Sequence, residues 1–455
     1  MSPHGSFTGV ALDPAALVDP GKGLVKRYAY VDQGIYELEL ERIFARSWLY
    51  LAHTSQLPEP GDFVATFMGD DPVIVCRGAD GEIRAMLNSC RHRGNTVCRS
   101  DEGNTSFFHC SYHGWTYSNQ GELVGVPKYR QAYGQALDKK EWGLLPVPRV
   151  EEHLGFIFGN WDAEAPDLAE YLGGMRYYLE LAFGRDPEGV EVIGGVHKWT
   201  IDTNWKVPTE NFATDMYHVN HSHKRVIELG LMEPFTDSGY EIAAGMGFLG
   251  HDFTPPVAED FGEHAEDPTH GYWVMPNPYT EFLKEERRRM AEKKGEDAAR
   301  LIPVGHGAVF PSFAFLDIEM LRLVRVHIPR GPEQTMFYQW CVVDKSLPQD
   351  VKDALRKQYQ FTFGPSGILE QDDGENWRQL QVGCRGHIGR QLDTNMVLGL
   401  GQDRPAADII GRGAPGHGGG IWSEANQRAF WRHWLAFMTT ERASDVRDYV
   451  RNDAP

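Results

Sequence analysis

The 455 residues carry 45 Lys and Arg against 64 Asp and Glu, a formal charge of −19, with 41% hydrophobic residues and 6 cysteines. That length exceeds one small carrier domain and suits two domains, while the acidic balance disfavours nucleic acid and anionic membrane surfaces as partners. Scattered cysteines argue against a disulfide scaffold and fit a reducing, cytoplasmic compartment, and no apolar run approaches the roughly 18 residues that span a bilayer.

The start, Met1 to Val18, has no apolar core behind a basic flank, so no secretory signal is expected. Tyr36, Leu40, Ile43, Phe44 and Trp48 recur at helical spacing and predict an amphipathic helix over 32–48. From Gly61 the chain breaks into short strands with turn signals at Ala79-Asp80-Gly81 and Asn119-Gln120-Gly121. Between those hairpins lie Cys90-Arg91-His92 and Cys110-Ser111-Tyr112-His113, each after a strand-like run. Phe156 to Trp161 reads as the strand that closes this all-β module.

Each half-site supplies one thiolate and one imidazole. Two such loops facing each other can hold a [2Fe–2S] cluster, with Cys90 and Cys110 on one iron and His92 and His113 on the other. Neutral imidazoles in place of thiolates raise the reduction potential, which makes a one-electron acceptor. Zinc also takes two cysteines and two histidines, but its usual finger pairs like with like along the chain. Gly94 and Gly114, just past the histidines, allow the tight backbone that turns amide N–H groups toward sulfur.

After Asp162 the pattern changes to mixed helices and strands. Asn211 to His223 packs His218, His221, His223 and Asp215 into one stretch. Two histidines and a carboxylate on one face of iron(II) leave positions open for dioxygen. On a straight helix His218 and His221 share a face, whereas His223 is turned roughly 140° from His218. Residues 281–302 form a charged helix expected to be a solvated surface. Leu369 to Trp377, with the acidic pair Asp372-Asp373 at a helix start after Gly364-Pro365-Ser366-Gly367, offers a third ligand, although acidic residues also gather at helix starts for dipole reasons. Gly411 to Gly416 matches GxGxxG literally, but Pro415 and the following His417-Gly418-Gly419-Gly420 forbid the helix a dinucleotide site needs, so a flexible loop is expected.

The two Cys-His loops, with Gly94 and Gly114-Trp115, resemble the Rieske domain of aromatic-ring-hydroxylating oxygenase large (alpha) subunits, polycyclic-hydrocarbon type. Respiratory Rieske proteins carry two further, disulfide-bridged cysteines where Asn95 and Tyr112 stand here; Cys98 is out of register and is expected to be a buried thiol. The likeness extends over nearly the whole chain, to Trp422 through Phe430. It implies an α+β fold: an N-terminal helical segment (1–47), an all-β Rieske domain (48–162), and a larger catalytic domain with an antiparallel sheet covered by helices (163–455). Its signature matches His218 and His223 as iron ligands with Asp373, rather than Asp372, as the carboxylate. His221 remains the alternative from helix geometry.

The same resemblance gives Asp215 the task of joining the iron site to His113 of an adjacent subunit. It places Asn211, Phe212, Met216, Val219, Phe363 and Leu369 at the substrate. All but Asn211 are apolar, which suits a hydrocarbon ring, and Leu369 stands where some relatives for bicyclic substrates have tryptophan. The implied reaction adds both atoms of O2 to an aromatic hydrocarbon as a cis-dihydrodiol. The implied partners are a small beta subunit in an α3β3 hexamer, a ferredoxin and its reductase. A Rieske monooxygenase, or a dioxygenase of aromatic acids such as benzoate or salicylate, is the alternative, and an arginine lining the iron pocket would favour the acid.

Overall fold

The computed structural model describes residues 13–134, 136–232, 234–235, 237–252, 279–318, 321–442 and 445–446. The N-terminal segment is not helical throughout. Val18–Asp19 and Leu24–Lys26 pair with each other and then with Asp393–Asn395, which ties this segment to the far end of the chain. The helix expected over 32–48 starts at Asp32, whose side chain accepts from Ile35 N at 3.0 Å, a normal helix cap. It runs as Gln33–Glu39, widens over Leu40–Phe44, and yields to the strand Leu49–His53 after Trp48, which is buried and donates from Nε1 to Pro166 O at 2.9 Å.

Three small antiparallel sheets build the module that carries the Cys-His loops. Asp62–Met68 and Asp71–Arg77 are central in one, flanked by Ile83–Leu87 and Glu102–Asn104. Phe107–His109, Thr116–Ser118 and Leu123–Gly125 form the second, and Leu49–His53, Phe156–Asn160 and Arg149–His153 the third. The two expected turns are there: Gly81 and Gly121 take φ of 86° and 91°, a conformation glycine adopts without steric cost.

Among the described residues the larger part is built on one nine-stranded antiparallel sheet running from Val190–Ile201 to Arg404–Pro405. Its second and third strands, Thr335–Asp344 and Leu321–Pro329, are almost wholly buried, which requires cover on both faces. Helices Gln349–Phe363, Glu370–Arg385 and Ala425–Thr439 provide part of that cover.

Two expectations need correction. The charged helix is Thr280–Lys294 followed by Glu296–Ala299, and it is not simply solvated: Leu283, Glu286 and Met290 are buried at helical spacing. Glu286 meets Arg185, which also holds Asp317, so one face of a strongly polar helix is fixed by buried charge. The glycine-rich loop is shorter than expected: 411–416 holds neither helix nor strand, but the run that follows does pair. His417–Gly420 is a strand paired with Gly239–Ala244; a Cβ on Gly418 would lie 1.8 Å from the Glu241 carbonyl oxygen, so glycine permits the approach.

Candidate metal centres

The two Cys-His loops are built alike. Gly94 N donates to Cys90 O at 2.8 Å and Cys90 N to Asn95 O at 2.8 Å; Gly114 N donates to Cys110 O at 2.9 Å and Cys110 N to Trp115 O at 2.8 Å. Gly94 and Gly114 take φ of 78° and 71°, as a turn this tight demands. The N–H of His92 faces the Cys90 sulfur, and those of Tyr112 and His113 face Cys110. Tyr117 Oη lies 3.3 Å from Cys90 Sγ and accepts from Arg91 N at 3.0 Å.

Both thiols are buried, and the His92 and His113 rings stand 4.6 Å apart. His92 Nδ1 is buried without a hydrogen-bond partner. A buried bare ring nitrogen beside two facing thiols is a donor set in want of an acceptor, and it fits a cluster. All six cysteines are free; Cys98 is a buried thiol, and Asn95 Nδ2 lies 3.7 Å from Cys110 Sγ.

The second group grows from a strained corner. Helix Lys206–Phe212 ends and Met216–Ser222 begins across Thr214, a buried β-branched residue at φ 90°. Such a backbone costs on the order of 1–3 kcal/mol and needs surrounding structure to hold it. Gly250 supplies the room, since a Cβ there would fall 2.1 Å from Thr214 Cγ2. Asp215 caps the new helix by accepting from His218 N at 3.3 Å, and its carbonyl takes a short contact from His218 Nδ1. The helix stops at Ser222, so His223 leaves the helical register and turns inward while His221 stays exposed.

Asp373, in the first turn of Glu370–Arg385, completes the group. Its Oδ1 lies 3.2 Å from His218 Nε2 and 3.4 Å from His223 Nε2, and it is buried with no hydrogen bond. One ligand atom from each of the three residues lies within 4.8 Å of the others. Burial opposes charge on Asp373, but His223 and His218 outweigh it and hold the carboxyl below its usual range. Burial likewise opposes charge on His218, yet Asp373 and Asp215 lift it to about 9. Three donors that bear one another only through mutual charge fit a dication placed among them.

Around this group His223 Nδ1 faces Asp372 Oδ2 at 3.4 Å, and Asn211 Nδ2 lies 3.4 Å from both His218 ring nitrogens. Phe212, Met216, Val219, Phe363 and Leu369 are buried and Asn211 is half-buried. Sequence reasoning missed Arg325, whose guanidinium lies 4.3 Å over Phe212 and is bound by Glu370 Oε1 at 3.2 Å, Glu370 Oε2 at 2.5 Å and Gln339 Oε1. Two arginines in a buried, largely apolar strand, Leu321–Pro329, were the available signal.

A sulfur–nitrogen cluster module joined to a two-histidine, one-carboxylate pocket defines an iron oxygenase with its own electron store. Residues 47–147 match the Rieske [2Fe-2S] domain, and residues 179–440 match the ring hydroxylating alpha subunit (catalytic domain). The chain is 39% identical over 443 residues to the biphenyl dioxygenase alpha subunit of Metapseudomonas furukawaii, covering 93% of this chain and 92% of that one. It is 38% identical to the benzene 1,2-dioxygenase alpha subunit of Pseudomonas putida, with 93% of each covered. Naphthalene 1,2-dioxygenase with indole bound in the active site superposes with a TM-score of 0.84 at 31% identity, over 96% of both chains.

The chain therefore belongs to the ring-hydroxylating dioxygenase alpha subunits. It is a Rieske-type aromatic-ring-hydroxylating dioxygenase, an oxidoreductase with a [2Fe–2S] cluster and a mononuclear iron. Among the described residues no helix is long and apolar enough to cross a membrane.

Proposed function

We propose that the chain is the terminal oxygenase that converts a neutral polycyclic aromatic hydrocarbon, such as naphthalene, phenanthrene or pyrene, to a cis-dihydrodiol. The ring takes both atoms of O2 with two electrons and two protons. When bound, the cluster supplies the one-electron store and the ferrous iron the dioxygen chemistry. Cys90 and Cys110 would hold one cluster iron, His92 and His113 the other, and His218, His223 and Asp373 the mononuclear iron. Asp215 keeps His218 in orientation through its carbonyl and would reach His113 of the partner subunit in a trimeric ring. Phe212, Met216, Val219, Phe363 and Leu369 exclude water and position the ring, with Asn211 at the His218 edge. The proposed division is 1–47, 48–162 and 163–455. A small beta subunit in an α3β3 assembly, a ferredoxin, a ferredoxin reductase and a cytoplasmic setting complete the reading.

The observation that carries it is the meeting of His218 Nε2, His223 Nε2 and Asp373 Oδ1 beside buried apolar side chains. The charge of Arg325 beside Phe212 is taken up by Glu370, so this guanidinium is not free to receive an aromatic carboxylate. The test is product identification with a reconstituted electron supply and naphthalene, phenanthrene, pyrene, biphenyl and benzoate. Dihydrodiols from the fused rings and unconsumed benzoate are expected; turnover of benzoate alone would overturn the substrate assignment.

A further inference from the structure

Trp115 stacks on His92, centroids 5.0 Å apart and planes 8° from parallel. Trp142 meets the edge of Trp115 at 6.2 Å. Trp115 is buried, whereas Trp142 is 37% exposed. The Arg91 guanidinium lies 5.6 Å over the Trp142 ring and its Nη1 donates to Gly143 O at 3.3 Å. Three rings thus lead from a cluster histidine to solvent and end in an aromatic side chain covered by a cation. His113 takes no part in this path; its ring lies against His92 and the exposed Tyr112.

The surroundings are basic in an acidic molecule. Residues 90–145 hold seven Lys and Arg against five Asp and Glu, a net +2 where the whole chain carries −19. Arg91, Arg93, Lys128 and Lys140 are exposed, and Leu145 at three residues from Trp142 adds exposed apolar surface. An exposed aromatic covered by a guanidinium, in a segment of net positive charge, is the composition of a transient docking patch for an anionic protein. A second copy of this chain is also acidic, but its arrival would not explain why the rings lead to a cluster ligand.

We propose that Trp142 and Arg91 form the docking port for an acidic one-electron carrier of the [2Fe–2S] ferredoxin class, whose electron enters through Trp115 and His92. This rests on the oxygenase reading above. Each encounter oxidises the carrier by one electron and reduces the chain's cluster by one, with no bond made or broken; two encounters match the two electrons of one ring dihydroxylation. Entry at His92 leaves His113 free for the outgoing electron.

The test follows reduction of the cluster in the intact oxygenase by its visible absorbance after mixing with a reduced acidic [2Fe–2S] ferredoxin. Trp142→Ala should slow this step at least about tenfold and Trp142→Phe should restore most of it. Arg91→Gln should lower the rate and flatten its fall with salt, since steering of this kind is worth about 10- to 1,000-fold. Reduction by dithionite, the cluster spectrum and product yield from chemically prereduced enzyme should match wild type in all three. Variant rates within twofold of wild type would overturn the port. An altered oligomeric state in Trp142→Ala with an unchanged rate would assign the face to contact between copies instead. Wild type reduced by dithionite but by no acidic ferredoxin removes the proposed carrier. Absence of product from prereduced wild type removes the oxygenase reading itself.

Discussion

His223 reaches Asp373 because the helix carrying His218 ends one residue earlier, and Asp372 stands behind it at Nδ1. The two adjacent aspartates should therefore fail differently. Asp373→Ala removes the carboxylate oxygen placed between the two imidazoles, so iron content should fall from about three to about two per chain with the cluster colour intact. Asp372→Asn keeps the site but weakens the support of His223, and should cost about 10- to 100-fold in iron affinity or activity. Metal analysis with the visible spectrum checks both; an active, three-iron Asp373→Ala would reassign the ligand. The histidine choice was not legible from periodicity, because periodicity presumes that the helix continues. Helix geometry favoured His221, which is exposed; only the likeness to the family motif pointed to His223. The cluster loops were legible because their chemistry is local: Cys, His and Gly within five residues fix the turn without help from distant chain.

Elements report forces that a linear pattern carries poorly. The run 417–420 reads as part of a loop, yet it is a strand, and at Gly418 the neighbouring backbone comes too close for a Cβ. Gly418→Ala should lower stability by about 1–3 kcal/mol through overpacking, whereas Gly420→Ala, with nothing within 4 Å of the added carbon, should be nearly neutral. Equal melting temperatures for the two would contradict this. The N-terminal segment is joined to the catalytic part through a buried carboxyl. Tyr30 Oη and Trp431 Nε1 both donate to Glu210 Oε1, at 2.8 and 3.0 Å. Burial lifts that carboxyl to about 8, against the pull of both donors. A carboxyl raised above its unfolded value binds its proton more tightly in the native state, so its contribution is complete below the ordinary glutamate range and is lost as pH climbs through about 8. Denaturation midpoints for wild type should fall between about pH 5 and about pH 8, and Glu210→Gln, whose amide oxygen accepts the same donors, should fall less. Parallel slopes would mean that Glu210 is ionised throughout.

For the whole molecule, the change of character after residue 162 was readable, but the order of the large sheet was not. Val190–Ile201 pairs with Thr335–Asp344 across more than a hundred residues, and no period in the sequence announces such a partner. The buried side chains also divide in a way composition hides. One core runs from Leu17 through the large sheet to Phe437, while Phe63, Ile74, Met86, Phe108, Trp115, Tyr117 and Leu144 form a separate one with Cys90 and Cys110. A small core built around ligands depends on them for part of its stability, because a metal group that binds only the folded loops contributes its binding energy to folding. Local opening should therefore follow loss of the cluster without global unfolding. In the Cys90→Ser, Cys110→Ser double variant, amide exchange should rise sharply over Phe107–His109, Thr116–Ser118 and Leu123–Gly125. Leu321–Pro329 and Thr335–Asp344 should stay as protected as in wild type, and the variant should retain about one iron per chain at the His218 group. Exchange spreading into those two strands would mean that the two cores unfold as one unit.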